Sequence, residues 1–140
     1  MIVKRGSAHW DGSIKEGKGT VSTQSKALDG QPYGFNTRFE DKPGTNPEEL
    51  IGAAHAACFS MALSGQLTGA GITDAVIDTT AKISMEKDGD GFSVTSSALS
   101  CTVTASGEAE TIRKAAETAK ANCPISKLLD CEISLDLTVN

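Results

Sequence analysis

The chain has 140 residues, 39% apolar and 22% charged, with aromatics at only 4%. That suffices for one domain spanning residues 1–140, with a buried core built from aliphatic and small residues. The net charge is −5 and Lys and Arg are scattered without a basic stripe, which excludes nucleic-acid binding as the leading role.

The start, Met1-Ile2-Val3-Lys4-Arg5, leads into glycine and polar residues rather than a hydrophobic signal region. Nothing there directs export, so a cytoplasmic location with reduced thiols is expected. Turn chemistry falls at His9-Trp10-Asp11-Gly12 and at Leu28-Asp29-Gly30-Gln31-Pro32. Short β-like runs are predicted at Lys18–Thr23 and Phe35–Phe39. In the second run Phe35, Thr37 and Phe39 share one face, and Asn36 and Arg38 the other.

A helix start is written at Thr45-Asn46-Pro47-Glu48-Glu49, with Asn46 as N-cap and Pro47 at the first helical position. Glu49 stands three residues after Asn46, where it can complete a capping box. The helix should run to about Thr68 and stop at Gly69-Ala70-Gly71, a length of roughly 35 Å. Its middle is apolar on every side, which predicts burial on every side. With His55, Gln66 and many Ala, Ser and Gly residues, it is too weak for a membrane span and reads as a core helix.

Val76 to Glu86 alternates as a strand, with Ile77, Thr79, Ala81, Ile83 and Met85 on one face. The turn Lys87-Asp88-Gly89-Asp90-Gly91 joins it in a hairpin to Phe92–Thr104. Apolar parity changes between Val94 and Leu99, which predicts a bulge near Ser96-Ser97. A second helix opens at Ser106-Gly107-Glu108, with Ile112, Ala115, Ala116 and Ala119 inside, and ends at Asn122. Cys123-Pro124 restarts a short helical piece to about Leu129. The last strand places Ile133, Leu135, Leu137 and Val139 on one face. This order is an α+β domain, and a helix that is apolar all round needs more cover than one small sheet supplies. Dimerisation is the natural remedy.

The four cysteines at 58, 101, 123 and 131 form no CxxC pair, and only two histidines are present, so no metal site or cofactor is expected. Cys58 alone reads as a packing residue. Cys123 differs, because a Cys-Pro step at a helix start puts the sulfur beside unpaired N–H groups that favour a thiolate. Cys101 and Cys131 lie in or beside strands and read as structural.

Arg38 between two phenylalanines is ordinarily a solvent-facing residue. Facing a pocket, it would be the best cation for a thiolate. At about 4 Å and a dielectric near 20, one opposite charge is worth roughly 4 kcal/mol, enough to bring a thiol from about 8.5 to below neutrality. Glu48 lies about 80° from Cys58 around the helix axis and Glu49 on the opposite side. Glu48 is thus the better candidate to orient Arg38 through a bidentate pair. His55, three residues before Cys58, could face it as a Cys–His pair or be hydrogen-bonded within the core.

The runs Gly34-Phe-Asn-Thr-Arg38-Phe and Asn46-Pro-Glu48-Glu-Leu-Ile-Gly-Ala-Ala-His-Ala-Ala-Cys58-Phe closely resemble the osmotically inducible protein C (OsmC) family, relatives of the organic hydroperoxide resistance proteins. Ala8-His9-Trp10, Gly17-Lys-Gly-Thr-Val21 and Cys123-Pro124 extend the likeness over the whole chain. The resemblance implies a thiol-dependent peroxidase that prefers organic hydroperoxides. It also implies an intertwined homodimer, with a mixed sheet packed on a long buried central helix. Carried over by position, Cys58 is the peroxidatic cysteine, Cys123 the resolving one, Arg38 the thiolate-stabilising arginine and Glu48 its partner. An organic hydroperoxide substrate and an external dithiol reductant would be the partners, without nucleic acid or membrane. The rival readings are a non-catalytic structural or ligand-binding dimer and a thiol redox sensor.

Overall fold

The computed structural model describes residues 1–140. The chain divides into two compact units, Met1–Leu50 and Ile51–Asn140. The first holds an antiparallel sheet of β1 (Gly6–Asp11), β2 (Lys18–Thr23) and β3 (Gln31–Tyr33), in that order. Both expected turns shrink: His9, Trp10 and Asp11 pair with β2, leaving Gly12 (φ 105°) to turn the chain, and Gln31 and Pro32 already belong to β3. Trp10, Gly19 and Tyr33 lie side by side across the three strands. A Cβ at Gly19 would run into both rings, so the glycine lets them meet at 5.5 Å between centroids.

Phe35–Phe39, expected as a strand, is instead a short helix, α1. Thr37 Oγ1 accepts from the Gly34 N–H (2.9 Å) and donates to the Gly34 carbonyl (3.1 Å), and the Arg38 N–H closes the turn on the same carbonyl at 3.2 Å. Phe35 and Phe39 are four residues apart, a spacing that puts them on one face in either conformation; here the rings meet at 5.0 Å.

Helix α2 (Pro47–Gly69) begins as the sequence signals. Asn46 Oδ1 accepts from the Glu49 N–H (2.9 Å), and Asn46 Nδ2 donates to the Thr37 carbonyl (3.2 Å). It ends in a Schellman motif: Ile72 N–H bonds the Leu67 carbonyl, Gly71 N–H bonds that of Thr68, and Gly71 adopts φ 82°. In length and composition α2 also meets the requirement for a bilayer span, more fully than its residue pattern suggested. Its buried residues form one stripe, Gly52, His55, Phe59, Leu63 and Leu67. The expected burial on every side does not occur within the chain, because Ala53, Ala54, Ala57, Met61, Ser64 and Gly65 on the other side are exposed.

The second unit contains the mixed sheet β4 (Val76–Asp88), β5 (Gly91–Thr104) and β6 (Glu132–Val139), with β5 central, antiparallel to β4 and parallel to β6. The hairpin turn is only Gly89-Asp90, with Gly89 at φ 60°. Ser84 pairs with Ser96 and Met85 with Val94, so Thr95 is the bulged residue, one step before the expected position. That extra residue turns Ser97, Leu99, Cys101 and Val103 inward. Helices α3 (Ala109–Asn122) and α4 (Pro124–Leu128) follow. Ile112, Ala115, Ala116 and Ala119 of α3 join the α2 stripe and the inner residues of β5 in one core.

Candidate active site

In the first unit, α1 and the start of α2 bring Arg38 and Glu48 together. Arg38 Nε donates to both Glu48 oxygens (3.2 and 3.1 Å) and Nη2 donates to Oε1 at 2.7 Å, a forked pair. Hydrogen bonding to Glu48 raises the guanidinium pKa, partial burial opposes this, and the Glu48 and Tyr33 charges add to the rise. Arg38 therefore stays a fixed cation, and it lies 5.2 Å from the Phe39 ring centre. A cleft of about 290 Å³ opens beside it, lined by Trp10, Ile14, Tyr33, Phe35, Arg38 and Phe39. Four of the six aromatic residues in the chain are here. Sequence reasoning missed Trp10, Ile14 and Tyr33; the scarcity of aromatics elsewhere was the available signal.

In the second unit, the Cys58 thiol on α2 meets Cys123 at the start of α4. Burial pushes the Cys58 thiol above its ordinary value, the Ile125 backbone N–H pulls it down, and hydrogen bonding to Cys123 and the charge of that thiol push it up again. All four cysteines are free. Cys123 caps α4: its Sγ accepts the Ser126 N–H at 3.3 Å and lies 3.1 Å from Ser126 Oγ. Cys101 is equally buried in β5, where burial raises its pKa, Thr79 opposes the rise by hydrogen bonding, and Asp78 adds to it by its charge.

His55 does not form the Cys–His pair that its spacing allowed. Its Nδ1 lies 2.6 Å from Ser97 Oγ and its Nε2 2.8 Å from Ser126 Oγ, so both ring nitrogens are occupied. Burial lowers its pKa, which keeps the ring neutral.

A long core helix against a mixed sheet, with the half-buried Cys58 thiol on that helix set against the buried Cys123, defines an α+β thiol protein. Residues 39–138 match the OsmC-like protein family. The chain belongs to that family. It is 59% identical over 136 residues to the peroxiredoxin OsmC of Escherichia coli, covering 96% of this chain and 95% of the relative. It is 34% identical over 127 residues to an organic hydroperoxide resistance protein-like relative from Staphylococcus aureus, covering 88% and 87% respectively. Its fold superposes with a TM-score of 0.67, at 22% identity, on the organic hydroperoxide resistance protein OhrB of Bacillus subtilis, covering 97% of this chain and 98% of the other.

Proposed function

We infer that this protein is a thiol-dependent peroxidase that reduces organic hydroperoxides to alcohols in oxidative-stress defence. The observation that carries this reading is the half-buried Cys58 thiol set against Cys123 of the core. Membership of a family whose relatives are named for peroxiredoxin activity and hydroperoxide resistance supports it.

In the proposed cycle the Cys58 thiolate attacks the distal oxygen of the hydroperoxide. The O–O bond breaks, the departing alkoxide takes a proton to become the alcohol, and Cys58 is left as a sulfenic acid. Cys123 then attacks the sulfenic sulfur, water leaves, and a Cys58–Cys123 disulfide forms. An external dithiol reduces it by exchange, regenerating both thiols. Burial alone keeps Cys58 a thiol, so the first step needs a cation. Arg38, held by Glu48, is assigned that role, and the apolar cleft beside it suits an alkyl chain. The working form is a homodimer joined over the exposed small-residue face of α2, with residues 1–140 acting as one cytoplasmic catalytic domain.

The test is turnover of cumene hydroperoxide with a dithiol, on wild type, Cys58→Ser and Cys123→Ser. Cys58→Ser should abolish consumption. Cys123→Ser should accumulate sulfenic or overoxidised Cys58 and cycle poorly. Wild type that consumes hydroperoxide without forming the disulfide would sink the two-cysteine cycle.

A further inference from the structure

The fully buried imidazole of His55 has no part in the cycle above, yet it is wired to one of its sulfurs. The chain of polar contacts runs Ser97 Oγ to His55 Nδ1 (2.6 Å), His55 Nε2 to Ser126 Oγ (2.8 Å), and Ser126 Oγ to Cys123 Sγ (3.1 Å). Every member is buried, and no buried side-chain N or O atom of the protein lacks a partner. Packing alone would be served by apolar side chains at these positions. Four polar groups drawn from α2, β5 and the start of α4 are instead arranged to end on a thiol.

We propose that Ser126 and His55 form a proton relay that takes the proton from Cys123 as this thiol attacks the oxidised Cys58, with Ser97 fixing the imidazole in the accepting tautomer. The proposal rests on the two-cysteine peroxidase reading. Donor and acceptor roles follow from the partners. With Nδ1–H donating to Ser97, Nε2 is the acceptor and takes the Ser126 O–H. The Ser126 oxygen is then free to accept from the Cys123 S–H, while the Ser126 N–H donates to the same sulfur. As Cys123 attacks, its proton moves to Ser126 Oγ and the Ser126 proton moves to His55 Nε2. The new bond is Cys58 Sγ–Cys123 Sγ and the broken one is the sulfenic S–O. The sulfenic sulfur is reduced, the thiol sulfur is oxidised, and the departing hydroxide takes up one proton to leave as water. His55 gives up its extra proton to solvent or to that hydroxide, which restores the neutral ring. Burial disfavours the charged ring, so the neutral, accepting form persists at neutral pH and somewhat below.

Ser126 touches a reacting sulfur; His55 acts through it. Both are tested by single-turnover kinetics on the full-length protein. Reduced enzyme is mixed with one equivalent of cumene hydroperoxide, and sulfenic acid (by a trapping reagent) and disulfide (by mass) are followed across pH 6 to about 9.5. The groups facing the imidazole nitrogens are Ser97 of β5 and Ser126 of α4. Neither serine titrates, so the pH profile of the second phase reads the disulfide-forming step and its relay. In Ser126→Ala and His55→Gln, the ratio of the disulfide-forming rate to the sulfenate-forming rate should fall about 10²-fold at pH 7. The deficit should shrink steadily as pH rises, because hydroxide then replaces the relay. Ser126→Thr, which keeps the hydroxyl, should recover most of the ratio. The relay is overturned if Ser126→Ala keeps the wild-type ratio and pH profile. It is equally overturned if the deficit is the same at every pH, which marks a packing defect. Wild type that makes sulfenic acid but no Cys58–Cys123 disulfide overturns the underlying reading, and the relay with it.

Discussion

The two faces of helix α2 are both largely without charge and have opposite fates. One carries Gly52, His55, Phe59, Leu63 and Leu67 into the core; the other leaves Ala53, Ala54, Ala57, Met61, Ser64 and Gly65 exposed. The buried face has its large side chains at three- and four-residue spacing, each with partners in the core. The exposed face is almost all small, with Met61, 80% exposed, as its one large apolar residue. Small residues make a poor core but a good surface for close helix approach. The difference teaches that apolar composition signals the need for cover, and that side-chain size shows which face the chain covers by itself.

The largest effect should come from the buried face. Phe59→Ala removes a fully buried ring and should cost about 3–5 kcal/mol in urea unfolding. A loss under about 1 kcal/mol would mean that this face does not anchor the unit. On the opposite face, Met61→Glu should leave the fold intact and weaken self-association at least tenfold, or ~1.4 kcal/mol, as read by sedimentation over a concentration series. Unchanged dimerisation in that variant would remove α2 from the proposed interface.

Much of this was legible because the signals were local. Asn46-Pro47-Glu48-Glu49 and Gly71 supply the caps of α2 within a few residues, and β4 and β6 display their alternation directly. Phe35–Phe39 misled because a four-residue spacing satisfies both the strand and the helix period. The bonds between Thr37 and Gly34 decide for the helix. No residue of β6 announces that it runs parallel to β5. The geometry around His55 was beyond reach for a plainer reason: its partners are 42 and 71 residues away.

The same contrast of equal burial and unequal wiring separates two cysteines. Cys101 and Cys123 are each 1% exposed, yet only Cys123 has a hydroxyl and an N–H of Ser126 on its sulfur together with Cys58 nearby. Cys101→Ala should cost about 1 kcal/mol of stability and leave peroxide turnover within experimental error. Cys123→Ala should lose disulfide formation altogether. Loss of turnover in the Cys101 variant would show that a buried thiol hydrogen-bonded to Thr79 rather than to Ser126 also matters to the chemistry.

The smallest effect, and the most specific, concerns pH. Burial lowers the His55 pKa in the folded chain, whereas the unfolded chain offers it an ordinary site near about 6.5. The unfolded state therefore binds the proton more readily, and stability is fully present above about 6.5 and falls as pH drops through that value toward the folded pKa. The hydrogen-bond partners of the ring, Ser97 and Ser126, do not titrate, so they add no slope of their own. The other histidine, His9, is exposed on β1. Urea unfolding at pH 7.5 and 5.5 should show wild type losing stability on acidification, with His55→Gln losing clearly less. Equal slopes for the two proteins would mean that His55 accepts a proton in the folded state as easily as in the unfolded one. The buried ring would then have to be reached by water, contrary to its complete enclosure between Ser97 and Ser126.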